Sequence, residues 1–201
     1  MPKIFTHLTL SMFLITALSG VLMRLVPFNT TIAEFPYDHI LHAHSHIALL
    51  GWAFSGVFII FLITFWPELS KKSRKHSMAI TTTLFIVSIL MFVAFVYEGY
   101  AVFSIVLSTL HIFVEYWAAL FIYKHIRQNK SFSKIGKLFV KGSLIALIIS
   151  SIGPYMLGFL SANGLRESYL FDMSVYFYLH FQYNGWLFLF LIGIFLFILE
   201  K

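Results

Sequence analysis

Six apolar stretches of spanning length occupy most of this chain, at about residues 4–26, 40–66, 77–97, 101–124, 138–161 and 173–199. About 20 residues of helix cross roughly 30 Å of hydrocarbon, so each stretch is close to or above the required length. In lipid the backbone must be satisfied within the segment, and the alternation of barrel strands is absent, which leaves helices. The sequence therefore predicts an all-α, polytopic membrane bundle of six transmembrane helices, folded as a single transmembrane domain over residues 1–201. The first stretch is too long for a secretory signal, and no small-residue cleavage site precedes Arg24. With 60% hydrophobic and only 11% charged residues, the chain cannot hide its apolar surface in water.

The charges orient the bundle. Lys71, Lys72, Arg74 and Lys75 follow the second span, and Lys124, Arg127, Lys130, Lys134 and Lys137 follow the fourth. The alternate loops hold Glu34 and Asp38, then Glu98, then Arg166 with Glu167 and Asp172. The positive-inside rule places both termini in the cytoplasm and the protein in the cell inner membrane as a multi-pass protein. It also absorbs the net charge of +6, so no nucleic-acid partner is called for. The absence of cysteine excludes disulfides, thiolate-bound metals and covalent haem attachment.

Histidines gather where the inward-running spans begin. "HILHAHSHIALLGW" places His39, His42, His44 and His46 at the outer end of the second span. "STLHIFVEYW" places His111 and Glu115 on one face of the fourth, and "YLHFQYNGW" places His180 in the sixth. An ionisable group inside a membrane is expensive unless paired, so these positions are candidate functional residues. His39 is expected in the headgroup zone, solvated. His44 and His46 are two residues apart and point to different sides of one helix. His7, His76 and His125 lie near the inner surface, where solvation accounts for them, with His7 held in reserve.

An internal echo links two of these helices. "HIALLGW" (46–52) and "HFQYNGW" (180–186) both place a histidine five residues before Gly-Trp. Glycine admits another helix or a flat ring, and Trp52 and Trp186 supply broad faces. Two such helices are suited to holding a planar cofactor between imidazoles. Gln182 and Asn184 are polar groups able to orient ligands or water. Without thiolates, imidazole and carboxylate suit iron, copper, zinc or nickel, and haem would be held by histidine.

"HSHIALLGW" resembles the ligand-bearing helix of the haem–copper oxidase superfamily catalytic subunit, in its nitric oxide reductase and cbb3-type branches. That helix carries His-x-His, the first histidine on a high-spin haem and the second on a low-spin haem. The resemblance implies these roles for His44 and His46, with His180 or His42 as the further axial ligand. "HIFVE" is similar to the nitric oxide reductase segment that binds non-haem iron, which implies His111 and Glu115 as metal ligands and Glu115 as the catalytic carboxylate. The chain would be a short, six-helix relative carrying b-type haem, with non-haem iron or copper alongside. A haem-binding membrane family of the NnrS type is the second resemblance. Together they imply electron transfer or oxygen or nitric oxide chemistry, a small diatomic ligand, and a homo-oligomer or another respiratory-chain subunit as partner. The alternatives are a histidine-based metal-ion or proton transporter and a membrane assembly subunit. Against transport, the helices below Glu115 and Gly185 read "AALFIY" and "LFLFLIGIFLFIL", without relay groups.

Overall fold

The computed structural model describes residues 1–28 and 36–200; Glu34, counted above among the outer acidic groups, lies outside them. Six helices are long and apolar enough to cross a membrane: α1 (Lys3–Leu25), α2 (Tyr37–Glu68), α3 (Lys71–Glu98), α4 (Val102–Gln128), α5 (Lys134–Ala162) and α6 (Tyr169–Leu199). No strand occurs among the described residues. The predicted spans match these helices, each trimmed or extended by a few residues at its polar ends. The chain divides into two compact units, Met1–Ala118 and Ala119–Lys201.

Helix starts follow local chemistry. Ser70 accepts the Ser73 backbone N–H at 3.1 Å and Ser133 accepts that of Gly136 at 3.0 Å, so α3 and α5 both open on a serine cap. α3 ends on Gly99, whose φ of 61° is left-handed. Glu98 then accepts the Ser104 N–H at 2.7 Å, and Ser104 donates to the Gly99 carbonyl at 2.7 Å, which closes the turn into α4. α5 is interrupted at Ser151, three residues before Pro154, which has no N–H to give the helix.

Two helices contain π-helical turns. In α2 the π-turn covers Ile47–Phe54, and in α6 it covers Phe181–Leu187. Each begins immediately after a histidine of the echo, His46 or His180. The five-residue step from histidine to glycine is the i→i+5 register of a π-turn.

The echo is part of a longer duplication. An offset of 134 residues, held without a gap, aligns the pair α1–α2 with the pair α5–α6 at scattered identical positions. Lys3, Phe5 and Leu10 recur as Lys137, Phe139 and Leu144. Asp38 recurs as Asp172, Phe54 as Phe188, and Phe61 as Phe195. The contacts recur as well. A Cβ placed on Gly51 would lie 3.5 Å from Met12 Sδ, and one on Gly185 would lie 2.6 Å from Ala146 Cβ. Ser19 Oγ meets His44 Nδ1 at 3.0 Å, and a Cβ on the equivalent Gly153 would lie 2.6 Å from Tyr178 Cβ. The same hairpin is therefore built twice, with small residues setting the close approach of its two helices.

Candidate functional site

Within the first unit, α2 presents its histidines to two different neighbours. His44 turns toward α1, where Nδ1 donates to the Thr16 carbonyl at 3.1 Å and to Ser19 Oγ at 3.0 Å. Ser19 spends its own proton on Thr16, so its oxygen is free to accept. His46 turns toward α3. Its ring stacks on Phe95 at 4.2 Å, and its Nδ1 donates to the His42 carbonyl at 2.9 Å. The expectation that these two rings point to different sides of one helix holds. In both, the proton sits on Nδ1, which leaves Nε2 with its lone pair, the form in which imidazole ligates a metal. His42 meets Tyr100 edge-on at 4.4 Å.

The outermost ring departs from expectation. His39 is not a free headgroup residue: Nδ1 lies 3.3 Å from the Val96 carbonyl, and the ring fills the space over Gly99. His76, expected to be merely solvated, accepts a hydrogen bond from Trp117 Nε1 at 2.7 Å. His125 is tied to the Phe121 carbonyl at 2.7 Å, while His7 is exposed.

His111 and Glu115 sit deep in α4, both fully buried. Helical rise places them about 14–20 Å from its N-terminal end. His111 Nδ1 and Glu115 Oε1 approach to 3.2 Å. The approach misses hydrogen-bond geometry, so each of these buried atoms lacks a hydrogen-bond partner. The other ring nitrogen, Nε2, meets Ser88 Oγ of α3 at 3.1 Å. Phe54, at the end of the α2 π-turn, closes one side with its ring 6.3 Å from that of His111. A carboxylate in so apolar a place needs a cation, whether a proton or a metal. A 3.2 Å bite matches two atoms that each bind one ion at about 2.0–2.2 Å. No group of three or more His, Cys, Asp or Glu side chains positioned to hold an ion occurs among the described residues, so this pair supplies two ligands and no more.

In the second unit, Gln182 is buried and donates to Ser150 Oγ at 3.2 Å, bracing α6 against α5. His180 and Asn184 are exposed, with Asn184 Nδ2 3.5 Å from His180 Nδ1. The two echo tryptophans differ. Trp52 is partly exposed against Phe13, whereas Trp186 is buried against Phe190.

The echo glycines do not open onto a flat ring. The space over Gly51 is taken by Ile47, whose Cδ1 would be 2.7 Å from an added Cβ, and by Met12. That over Gly185 is taken by Ala146 and Phe181. These glycines serve the packing of each helix on its hairpin partner, and the idea of a planar cofactor lying on them is set aside. Sequence reasoning missed Ser88 and Ser19, which are ordinary small residues in helices; only their positions opposite histidines mark them. No family model, curated protein or solved structure matches this chain.

Proposed function

We propose that this chain is an integral membrane metalloprotein of the oxidase–reductase type, acting in electron transfer or in oxygen or nitric oxide chemistry. One observation carries the reading: a fully buried imidazole nitrogen and carboxylate oxygen, 3.2 Å apart, with no hydrogen bond to either. His111 and Glu115 would hold a single non-haem iron or copper ion there, with Ser88 fixing the ring. Only two protein ligands are offered, so positions remain for water or a diatomic molecule. A bound metal would supply the redox chemistry; the chain's own part is to hold it in an apolar site and to keep the imidazole oriented.

A second centre is favoured by the tautomers of His44 and His46. Both present Nε2 while Nδ1 is anchored on a carbonyl, so either ring would be able to hold the iron of a b-type haem. Within the same unit, His42 remains a candidate for a further ligand. With the basic loops inside, the His44 and His46 centre would lie toward the extracytoplasmic half of the inner membrane and the His111 and Glu115 centre near its middle. The transporter reading lacks a continuation below Glu115, and the assembly reading leaves the buried pair without a purpose.

The test is metal analysis with oxidised and dithionite-reduced absorption spectra on protein purified after expression with iron, copper and haem supplied. Stoichiometric iron or copper that is lost in Glu115→Gln supports the ion site. A Soret band that shifts on reduction and is lost in His46→Ala supports the haem site. Protein with neither group would overturn the proposal.

A further inference from the structure

The two hairpins differ in what covers them. In the first, the face of α2 that carries His42, His46, Phe54 and Phe61 is enclosed. Tyr100 and Phe95 lie against the histidines, and His111 of α4 lies against Phe54. In the second, the corresponding face of α6 is bare. Phe54 is 2% exposed, and its counterpart Phe188 is 59% exposed; Phe61 is 0% exposed, and Phe195 is 58% exposed. The same hairpin thus buries this face in one copy and leaves it uncovered in the other.

The bare face is a regular seam. Tyr176, His180, Asn184, Phe188, Leu191 and Phe195 are all exposed, at steps of four, four, four, three and four residues. Steps of three and four are the pattern of a helix that packs lengthwise on another helix. The run of fours falls where the π-turn adds a residue. No Asp, Glu, Lys or Arg occurs from Met173 to Leu199, so two such faces meet without like-charge repulsion. The face also holds an amide and an imidazole, which touch each other at 3.5 Å and keep hydrogen-bonding capacity that lipid tails cannot satisfy.

We propose that this face is a homodimer interface, in which α6 of a second copy packs against α6 about a twofold axis running along the membrane normal. Copies inserted in one membrane share an orientation, so their α6 helices run parallel and like depths meet. His180 and Asn184 then meet their own counterparts. An amide both donates and accepts, and a neutral imidazole does the same, so a twofold pair satisfies both copies reciprocally. Polar side chains of this kind are a common adhesive between membrane helices. Below them, Phe188, Leu191 and Phe195 interlock. A second copy is the occupant that this pattern selects, because the face complements itself in polarity, charge and register.

The absence of native cysteine makes the test direct. Single-cysteine variants Leu191→Cys and Phe195→Cys are oxidised in native membranes beside a control, Leu14→Cys, which is at least as exposed as Leu191 but lies on α1. The α6 variants are expected to give a disulfide-linked species of twice 23.2 kDa, and the control to remain monomeric. The unmodified protein should have the same doubled polypeptide mass in mild detergent by light scattering. Asn184→Leu should lower the dimerisation constant about tenfold while the helix content is unchanged. A monomeric mass for the unmodified protein, equal cross-linking of the control, or cross-linking of α6 only to a different protein would each overturn the proposal.

Discussion

His111 Nδ1 lies 3.2 Å from Glu115 Oε1 in the interior of α4, and neither atom has a hydrogen bond. Both groups are fully buried. A pair in this state is held by what lies between or beside its members, so its two halves are energetically coupled. Removing one partner from a buried ion pair costs roughly 3–5 kcal/mol, because the other is left uncompensated. His111→Ala is therefore expected to lower the melting temperature more than the double variant His111→Ala/Glu115→Ala does. Thermal unfolding of both in the same detergent checks this; additive losses would show that the two side chains do not depend on each other.

Ser88 is the polar contact of the other nitrogen of the His111 ring, Nε2, at 3.1 Å. Loss of a group that orients a metal-bound histidine typically weakens metal binding about 10–100-fold. Ser88→Ala should show that loss in a competition titration with a chelator, and Ser88→Thr should retain most of the affinity. Unchanged affinity in Ser88→Ala would remove the serine from the site.

Ser19 plays the corresponding part for His44. Its oxygen accepts from Nδ1 at 3.0 Å, alongside the Thr16 carbonyl. With the carbonyl still in place, Ser19→Ala is expected to leave the protein folded and to loosen the ring. If haem binds at His44, the reduced-minus-oxidised spectrum should broaden or shift in Ser19→Ala but not in Ser45→Ala, whose hydroxyl is turned back to the Leu41 carbonyl.

Gly185 faces Ala146 across the second hairpin, with 2.6 Å between an added Cβ and the alanine methyl. Overpacking of this kind costs about 1–3 kcal/mol. Gly185→Ala should be destabilised by that amount, and Gly185→Ala/Ala146→Gly should recover most of it. Melting curves for the two variants decide the point. Failure of the second change to rescue the first would mean that α5 and α6 do not approach as closely as described.

Gly99 is constrained twice, by its φ of 61° and by the His39 ring, whose Cδ2 would lie 2.6 Å from any Cβ. A non-glycine residue in the left-handed region costs about 1–3 kcal/mol. Gly99→Ala should lower thermal stability by at least that much. Adding His39→Ala relieves the clash but not the backbone strain, so recovery should be partial. Full recovery would mean that the backbone conformation contributes nothing.

The helices were legible because their signal is length and apolarity, which α1 through α6 carry independently of one another. The divergent aim of His44 and His46 was legible because a two-residue step on a helix fixes it. The contacts of His39 and His76 were not, since each rests on a residue some 40 or more positions away. The glycine of each Gly-Trp was readable as a place of close approach, but not what approaches. That depends on Met12, Ile47 and Ala146, which look like any other apolar residues. The duplication was plain as a motif at His46/His180, Gly51/Gly185 and Trp52/Trp186. Elsewhere leucine, isoleucine and phenylalanine replace one another freely where lipid is the solvent, and the likeness thins to scattered identities.

The π-turns set the N-terminal and C-terminal halves of α2 and α6 independently. Each inserts extra chain without breaking the helix, so the residues above it are out of phase with those below. Deleting one residue from 47–54 would let the segment relax to an ordinary helix and turn everything beneath it by about 100° relative to the histidines. The aim of His42, His44 and His46 and the seating of Phe58, Phe61 and Phe65 are therefore two separate adjustments on one rod, indexed against each other by a single residue.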